Sequence, residues 1–106
     1  MERKKIIDAI IAKLKQYSPI KIAVFGSFAR GDDTPESDID ILVDFNKRVT
    51  FLELVGIEIE LSELIGKKVE LISERAINPK IKKYIENDLQ IIYQWRNIPT
   101  YIYKEN

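Results

Sequence analysis

The chain has 106 residues, enough for one domain with a real hydrophobic core and too few for two. It is 45% hydrophobic and 32% charged, as globular proteins are, and its 17 basic and 17 acidic residues cancel, which gives no case for nonspecific nucleic-acid binding. Since cysteine and histidine are absent, disulfides, thiolate catalysis, Ser-His-Asp triads and His or Cys metal sites are excluded within these residues, and acid–base or metal chemistry must rest on carboxylates.

The first half of the chain predicts a helix and two strands. Residues 2–16 carry apolar side chains at helical spacing, which predicts an amphipathic helix. Residues 20–25 predict a short strand and residues 27–30 a helical turn, followed by an exposed, mobile connection over residues 31–37. Residues 38–44 predict a second strand. Because a hairpin-like loop joins the strands, we expect them to be antiparallel, with the end of the first beside the start of the second.

The second half predicts a helix, a strand and a shorter helix. Thr50 and Glu53 fit a capping box, and the helix they open should end at Gly66. A strand is expected at residues 67–72, parallel to the second strand because a helix connects the two. We expect most apolar positions of the long helix to be core: Phe51, Leu54, Val55, Leu61, Leu64 and Ile65.

The C-terminal part is less regular. Asn78-Pro79 is a good helix start, with the helix running to about residue 87. Residues 89–93 are an apolar segment whose type the pattern leaves open. The tail, residues 94–106, carries the aromatic residues Trp95, Tyr101 and Tyr103. They either contact a partner, or they pack back on the domain or are disordered. The whole is read as one α/β domain, a small mixed sheet packed with helices.

The stretch from Gly26 to Asp40, GSFARGDDTPESDID, joins two chemical signals. Its end is an Asp-x-Asp pair, and alternate side chains of a strand share a face, so Asp38 and Asp40 lie roughly 6.6–7 Å apart on one face. Two bare carboxylates there repel by about 2–2.5 kcal/mol at an effective dielectric near 20, a repulsion that Mg²⁺ would remove. The alternative for the pair taken alone is a solvated edge strand.

The start of this stretch favours phosphate binding. A strand that ends in Gly26-Ser27 before a helical turn presents free backbone N–H groups to an anion. Ser27 adds a hydroxyl and Arg30 a fork of donors suited to phosphate oxygens. Taken alone, Gly-Ser also fits a plain strand-to-turn connection. A P-loop is excluded because Asp32 stands where that motif needs Lys.

Together the two halves resemble the Gly-Ser-x10-Asp-x-Asp signature of the DNA polymerase β-type nucleotidyltransferase superfamily. The compact form GSFARGDDTPESDIDILV is similar to that of the minimal nucleotidyltransferases (MNT proteins), which are paired with HEPN-domain toxins. The resemblance implies the polymerase β-like fold, with Mg²⁺ on Asp38 and Asp40 and ATP phosphates on Gly26, Ser27 and Arg30.

The resemblance also implies a third carboxylate on the third strand. Glu70 occupies that place, where the family most often has Asp, and the extra methylene makes the carry-over less direct. It is expected to complete the catalytic and metal-binding set and to help deprotonate the attacking hydroxyl; the alternative is an exposed residue paired with Lys68. Asp44 shares the face of Asp40 but lies further along the strand, and we interpret it as structural or solvated.

The function that follows from the resemblance is transfer of AMP to a tyrosine of a HEPN-domain toxin, by a cytoplasmic antitoxin of a type VII-like toxin–antitoxin system. No transmembrane-length apolar run or signal-peptide pattern opposes the cytoplasmic expectation. Two alternatives remain open: an antitoxin that binds nucleotide and occludes the toxin without chemistry, and a transferase acting on a small molecule or an RNA end.

Overall fold

The computed structural model describes residues 1–95, which form four helices, four strands and two 3₁₀ turns. In chain order these are α1 (Arg3–Leu14), a 3₁₀ turn (Lys15–Tyr17), β1 (Pro19–Phe25), α2 (Gly26–Arg30), β2 (Ile39–Phe45), α3 (Phe51–Ile65), β3 (Val69–Ser73), a second 3₁₀ turn (Glu74–Ala76), α4 (Pro79–Ile85) and β4 (Gln90–Gln94).

The four strands form one mixed sheet in the order β3-β2-β1-β4. β1 pairs antiparallel with both β2 and β4, whereas β2 and β3 are parallel. The predicted directions of the first three strands are confirmed, and so is the mixed α/β fold. The open segment at residues 89–93 is resolved as β4, which extends to Gln94 and so takes the first residue of the predicted tail into the sheet.

The core lies between one face of the sheet and the layer formed by α1 and α3. Alternate residues of the strands point into it, because strand side chains alternate between faces. The buried side chains of this core are Ile6, Ile10, Leu14, Ile22, Val24, Phe28, Ile39, Ile41, Val43, Phe45, Ile57, Leu61, Ile65, Val69 and Leu71.

Helix α3 begins and ends as predicted, but its core positions are only partly those expected. The capping box of Thr50 and Glu53 is present, and Gly66 ends the helix in the left-handed conformation. Of the six apolar positions expected to be mostly core, Leu61 and Ile65 are buried, whereas Phe51 is 77% exposed and Leu64 55% exposed. The remaining two, Leu54 and Val55, are half-buried. The expectation was wrong because the helix is apolar on more than one side and only one stripe contacts the sheet.

Side chains of α3 also hold the outer edge of β3. The Val69 N–H donates to Ser62 Oγ at 2.9 Å, and the Leu71 N–H donates to Glu58 Oε2 at 2.7 Å. Since β3 is at the end of the sheet, these bonds occupy amides that would otherwise be open to another strand. They also fix β3, and therefore Glu70, relative to the helix.

Trp95 closes the described part of the chain. Its backbone N–H donates to the carbonyl of Ile20 at 2.9 Å. Trp95 is half-buried, so it packs back on the domain. The other two aromatic residues considered as partner contacts, Tyr101 and Tyr103, lie outside the described residues. None of the helices in residues 1–95 has the length and apolarity needed to span a bilayer.

Candidate functional site

The site begins where β1 ends against β2. Phe25 pairs with Asp40 across the two strands, so Gly26 comes directly beside the Asp40 carboxylate. Gly26 has φ +72°, and a Cβ added there would overlap Asp40 Oδ2 and lie 3.4 Å from its Cγ. Glycine is therefore required both by the backbone conformation and by the close approach of the acid.

The second contact of Asp40 is across to β3. In the parallel register Asp40 pairs with Glu70, so both side chains leave the sheet on the same face. Their neighbours Ile39 and Ile41 are fully buried in the core on the opposite face. Asp38, predicted as the first residue of the strand, lies immediately before β2 and is half-buried. Within residues 1–95 no ion pair joins Glu70 to Lys68.

Electrostatics single out Asp40. Burial raises its pKa from 3.8 to about 6, assisted by a hydrogen bond to Glu70, which needs a proton on Asp40, and by the charges of Glu70 and Asp38. Arg30 acts in the opposite direction on the same pKa. The carboxylate is thus held among like charges, the condition in which a group favours either a proton or a nearby cation.

These residues fit a divalent metal in charge and donor type. Carboxylate oxygens are the ligands that Mg²⁺ prefers, and Mg²⁺ is commonly held by one or two carboxylates together with substrate phosphates. Among residues 1–95 no three His, Cys, Asp or Glu side chains converge as a ready metal cage. The three-carboxylate metal site of Asp38, Asp40 and Glu70 therefore stays a prediction.

The predicted phosphate cradle is the short helix α2. Ser27, its second residue, is half-buried, and its carbonyl accepts hydrogen bonds from the N–H groups of Gly31 at 2.9 Å and Asp32 at 3.1 Å. The N-cap residue of α2 is Phe25, and no side-chain hydrogen bond caps the first N–H groups of this helix. Phe28 anchors the helix in the core, with the Arg3 guanidinium 4.3 Å above its ring.

Arg30 is exposed and already paired. Its Nη1 donates to Asp88 at 2.7 Å and its Nε to Asp32 at 3.2 Å. Because a guanidinium has five N–H donors, other donors remain for a phosphate oxygen. Asp88 was not predicted as part of the site; it lies 58 residues away in sequence, and no local pattern indicates the pairing.

The loop between the two halves of the signature is held in place at two points. Lys67 Nζ donates to the Thr34 carbonyl at 3.1 Å and lies 3.5 Å from Asp33 Oδ2. The Thr34 N–H donates to Ser37 Oγ at 2.8 Å. Lys67 thus tethers a loop that was expected to be mobile to the turn before β3. Nothing in the sequence distinguishes Lys67 from other surface lysines, so this role was not predicted.

Of the two roles expected for Asp44, structural or solvated, the structure supports the structural one. It lies near the far end of β2, and its Oδ1 accepts a hydrogen bond from Arg75 Nε at 3.0 Å. It is therefore engaged away from Asp40.

Comparison with known proteins gives consistent similarities. Residues 4–92 match the family model described as "Nucleotidyltransferase domain". The candidate protein adenylyltransferase MJ0126 of Methanocaldococcus jannaschii is 44% identical over 90 residues, which are 83% of this chain and 92% of that protein.

Two solved structures share the fold. A crystal structure of a toxin–antitoxin with AMP-PNP matches with a TM-score of 0.79 at 20% identity, over 85% of this chain and 74% of that chain. A complex of the tri-AMPylated Shewanella oneidensis HEPN toxin with its MNT antitoxin matches with a TM-score of 0.75 at 16% identity, over 90% of this chain and 75% of that chain.

Proposed function

Since this chain belongs to the nucleotidyltransferase-domain family, we propose that it transfers AMP from ATP to a hydroxyl, most specifically a tyrosine hydroxyl, of a partner HEPN-domain toxin. Under this proposal it is the enzyme and antitoxin of a type VII-like toxin–antitoxin system. The observation that carries the proposal is the contact of Gly26 with Asp40, together with the pairing of Asp40 and Glu70.

Residues at the N-terminus of α2 are proposed to bind the triphosphate. Gly26 allows the phosphates close to the backbone, and the free N–H groups of the first turn donate to their oxygens. The Ser27 hydroxyl and the remaining donors of Arg30 complete the set. Phosphates bound there would lie next to Asp40, because a Cβ added at Gly26 would overlap the Asp40 carboxylate.

The three carboxylates are proposed to be the residues that would hold one or two magnesium ions. Asp38 and Asp40 are the expected main ligands, with Glu70 beside Asp40. Magnesium, when bound, supplies positive charge for the triphosphate oxygens and the departing pyrophosphate. The raised pKa of Asp40 supports this role, since a carboxylate crowded by Glu70 and Asp38 gains most from a cation.

Glu70 is proposed to accept the proton of the attacking hydroxyl. It is exposed at the surface of the sheet, so an incoming acceptor can reach it, while Asp40 is half-buried beneath. The hydroxyl oxygen then forms a bond to the α-phosphorus and the bond to pyrophosphate breaks.

The toxin as acceptor is supported by the relatives. The M. jannaschii relative is named for protein adenylyltransfer, and the S. oneidensis complex pairs an AMPylated HEPN toxin with an MNT antitoxin of the same fold. The AMP-PNP complex supports ATP as the donor. A HEPN-domain protein encoded beside this chain is the partner to test.

The experiment is to incubate the chain with the neighbouring HEPN protein, Mg²⁺ and ATP labelled at the α-phosphate. We expect label on the HEPN protein and its loss on Asp40→Ala, with tryptic mass spectrometry locating AMP on tyrosine. Asp44→Ala is the matched control, because Asp44 is on the same strand but pairs with Arg75 away from the site.

Other outcomes identify the alternatives. A stable complex without label would indicate occlusion of the toxin without chemistry. Label on added RNA or a small alcohol, but not on the HEPN protein, would indicate another acceptor. Full activity in Asp40→Ala would contradict the assignment of the site.

A further inference from the structure

The outer side of α3 carries an apolar stripe that the described residues leave largely uncovered, with only Val55 half-buried. Leu52, Val55 and Ile59 are spaced three and four residues apart, so they share one side of the helix. Leu52 is 81% exposed and Ile59 is 55% exposed, whereas the opposite stripe of Ile57 and Leu61 is buried in the core. A contiguous apolar stripe on a surface helix indicates an interaction surface.

Gly56 lies in the middle of this stripe, one turn after Leu52. A Cβ added at Gly56 would meet no atom within 4 Å, and its φ is not in the left-handed region. Neither the packing nor the backbone of the chain therefore requires glycine here. Glycine inside a helix is destabilising relative to alanine, so its presence needs another reason. Close approach of a second helix supplies one, because small residues let two helix backbones come together.

A basic residue lies before α3 and an acidic residue lies near its C-terminal end, which favours an antiparallel second copy as the partner. Arg48, just before the helix, and Glu63, near its end, are both exposed, and neither forms an ion pair within residues 1–95. A glutamate in the last turn of a helix is unfavourable for the helix dipole, and this last turn contains no basic residue. Glu63 is thus better placed against a cation of another chain than in the isolated helix.

We infer that a second copy of this chain binds the α3 stripe, with the two α3 helices antiparallel about a two-fold axis between Val55 and Gly56. This arrangement is isologous, so each contact occurs twice. Equal distances from the axis put Leu52 opposite the partner's Ile59. Arg48 lies in the segment that leads into α3, so the antiparallel arrangement brings it to the end where the partner's Glu63 lies. A parallel arrangement would instead bring Glu63 against its own copy.

Two features of the fold agree with this dimer. The edge amides of β3 beside α3 are occupied by Ser62 and Glu58, so helix contact rather than strand addition is available there. α3 packs on the sheet face opposite to Asp40 and Glu70, so the dimer leaves the candidate site of each copy open. The inference is independent of the proposed function.

The first test compares two apolar-to-acidic variants by sedimentation equilibrium over a range of concentrations. We expect the wild type to be dimeric at micromolar concentration. Ile59→Asp should raise the dimer dissociation constant by about a hundredfold or more, since two isoleucine contacts are lost per dimer. Ile81→Asp, at a 53% exposed position of α4, is the control and should leave it unchanged.

The second test uses charge reversal to establish the antiparallel register. Arg48→Glu and Glu63→Arg should each raise the dissociation constant by roughly tenfold, because two symmetry-related pairs become repulsive. Combining them should restore it to within about threefold of the wild type, a coupling that simple unfolding cannot produce.

The third test uses Gly56→Gln and separates the effect on dimer formation from the effect on the stability of the monomer. In the monomer it should raise the thermal midpoint, because glutamine favours the helix and its Cβ would meet no atom within 4 Å. In the dimer it should raise the dissociation constant, since the glutamine side chain would occupy the space between the two helices at the two-fold axis. A wild type that stays monomeric at millimolar concentration, equal effects of the two isoleucine variants, or no rescue by the double charge reversal would overturn the inference.

Discussion

Ionising Asp40 lowers the stability of the folded protein, because burial and the neighbouring Glu70 and Asp38 oppose its negative charge. Its pKa of about 6 in the folded state lies above the ordinary 3.8, so the folded protein keeps a proton that the unfolded chain has released. The stability from this group is therefore fully present below about pH 4 and is lost as the pH rises through 6.

Asp40→Asn should remove this pH dependence. At pH 7 without divalent ions, we expect the variant to exceed the wild type in free energy of unfolding by about 1–2 kcal/mol, after allowing for solvent screening of a half-buried group. Urea denaturation at pH 5 and pH 7 measures it. Magnesium should stabilise the wild type at pH 7 and have little effect on the variant. Equal pH dependence in both proteins would contradict the electrostatic account.

Gly26 offers a second prediction with an internal control. Gly26→Ala should destabilise the protein by about 2–4 kcal/mol or displace Asp40, because the new Cβ overlaps the carboxylate in addition to the strain of a positive φ. Gly31 has φ +82° and open space, so Gly31→Ala should cost only the backbone strain, about 1 kcal/mol. Thermal denaturation compares the two, and equal losses would show that the overlap is relieved elsewhere.

The sequence predicts that Gly26 lies beside Asp40 because only a short stretch of chain separates the two residues. Gly26 directly follows β1 and Asp40 lies in β2, and one connection joins the two strands, so their antiparallel pairing alone brings the two residues together. Asp88 could not be found in this way, since its bond to Arg30 depends on where α4 and β4 return to the sheet. Lys67 likewise gains its role only when the turn before β3 meets the loop at Thr34.

At the level of elements, strand direction was more predictable than helix orientation. The parallel pairing of β2 and β3 follows from the helical connection between them, and it put Glu70 beside Asp40 as expected. For α3, residues such as Phe51 and Leu61 are equally apolar in the sequence, and only the packed sheet decides which are buried. β4 could not be typed because its apolar residues neither alternate nor follow a helical period.

The link between α3 and β3 gives a prediction at this scale. Glu58→Ala should lower the free energy of unfolding by about 1–2 kcal/mol, because the partly buried Leu71 N–H loses its acceptor. Glu58→Gln keeps an acceptor oxygen and should lose less than half as much. Urea denaturation measures the stability, and hydrogen exchange should show faster exchange of the Leu71 amide in the alanine variant. Unchanged exchange would mean that this bond does not hold the edge of β3.

For the molecule as a whole, the sheet separates two surfaces. The carboxylates of Asp40 and Glu70 leave one face, while α1 and α3 cover the other, and the apolar stripe of α3 lies on the outside of that layer. The sheet, its core and the bonds of Ser62 and Glu58 to β3 connect the two surfaces. Substitutions at residues that are distant and share no contacts should nevertheless have independent effects.

Ile59→Asp and Asp40→Asn together test this separation. We expect Ile59→Asp to dissociate the dimer while each chain keeps its affinity for magnesium-bound ATP and its rate of AMP transfer to the HEPN protein. Asp40→Asn should abolish transfer and leave the dimer dissociation constant within about twofold of the wild type, because exposed and distant changes rarely couple strongly. Sedimentation equilibrium and labelled-ATP transfer are measured on both variants, and titration calorimetry measures the affinity of Ile59→Asp for magnesium-bound ATP. If Ile59→Asp also abolishes transfer at wild-type stability, the dimer is required for the reaction, and α3 must then contribute to binding the acceptor or to completing the site across the two-fold axis.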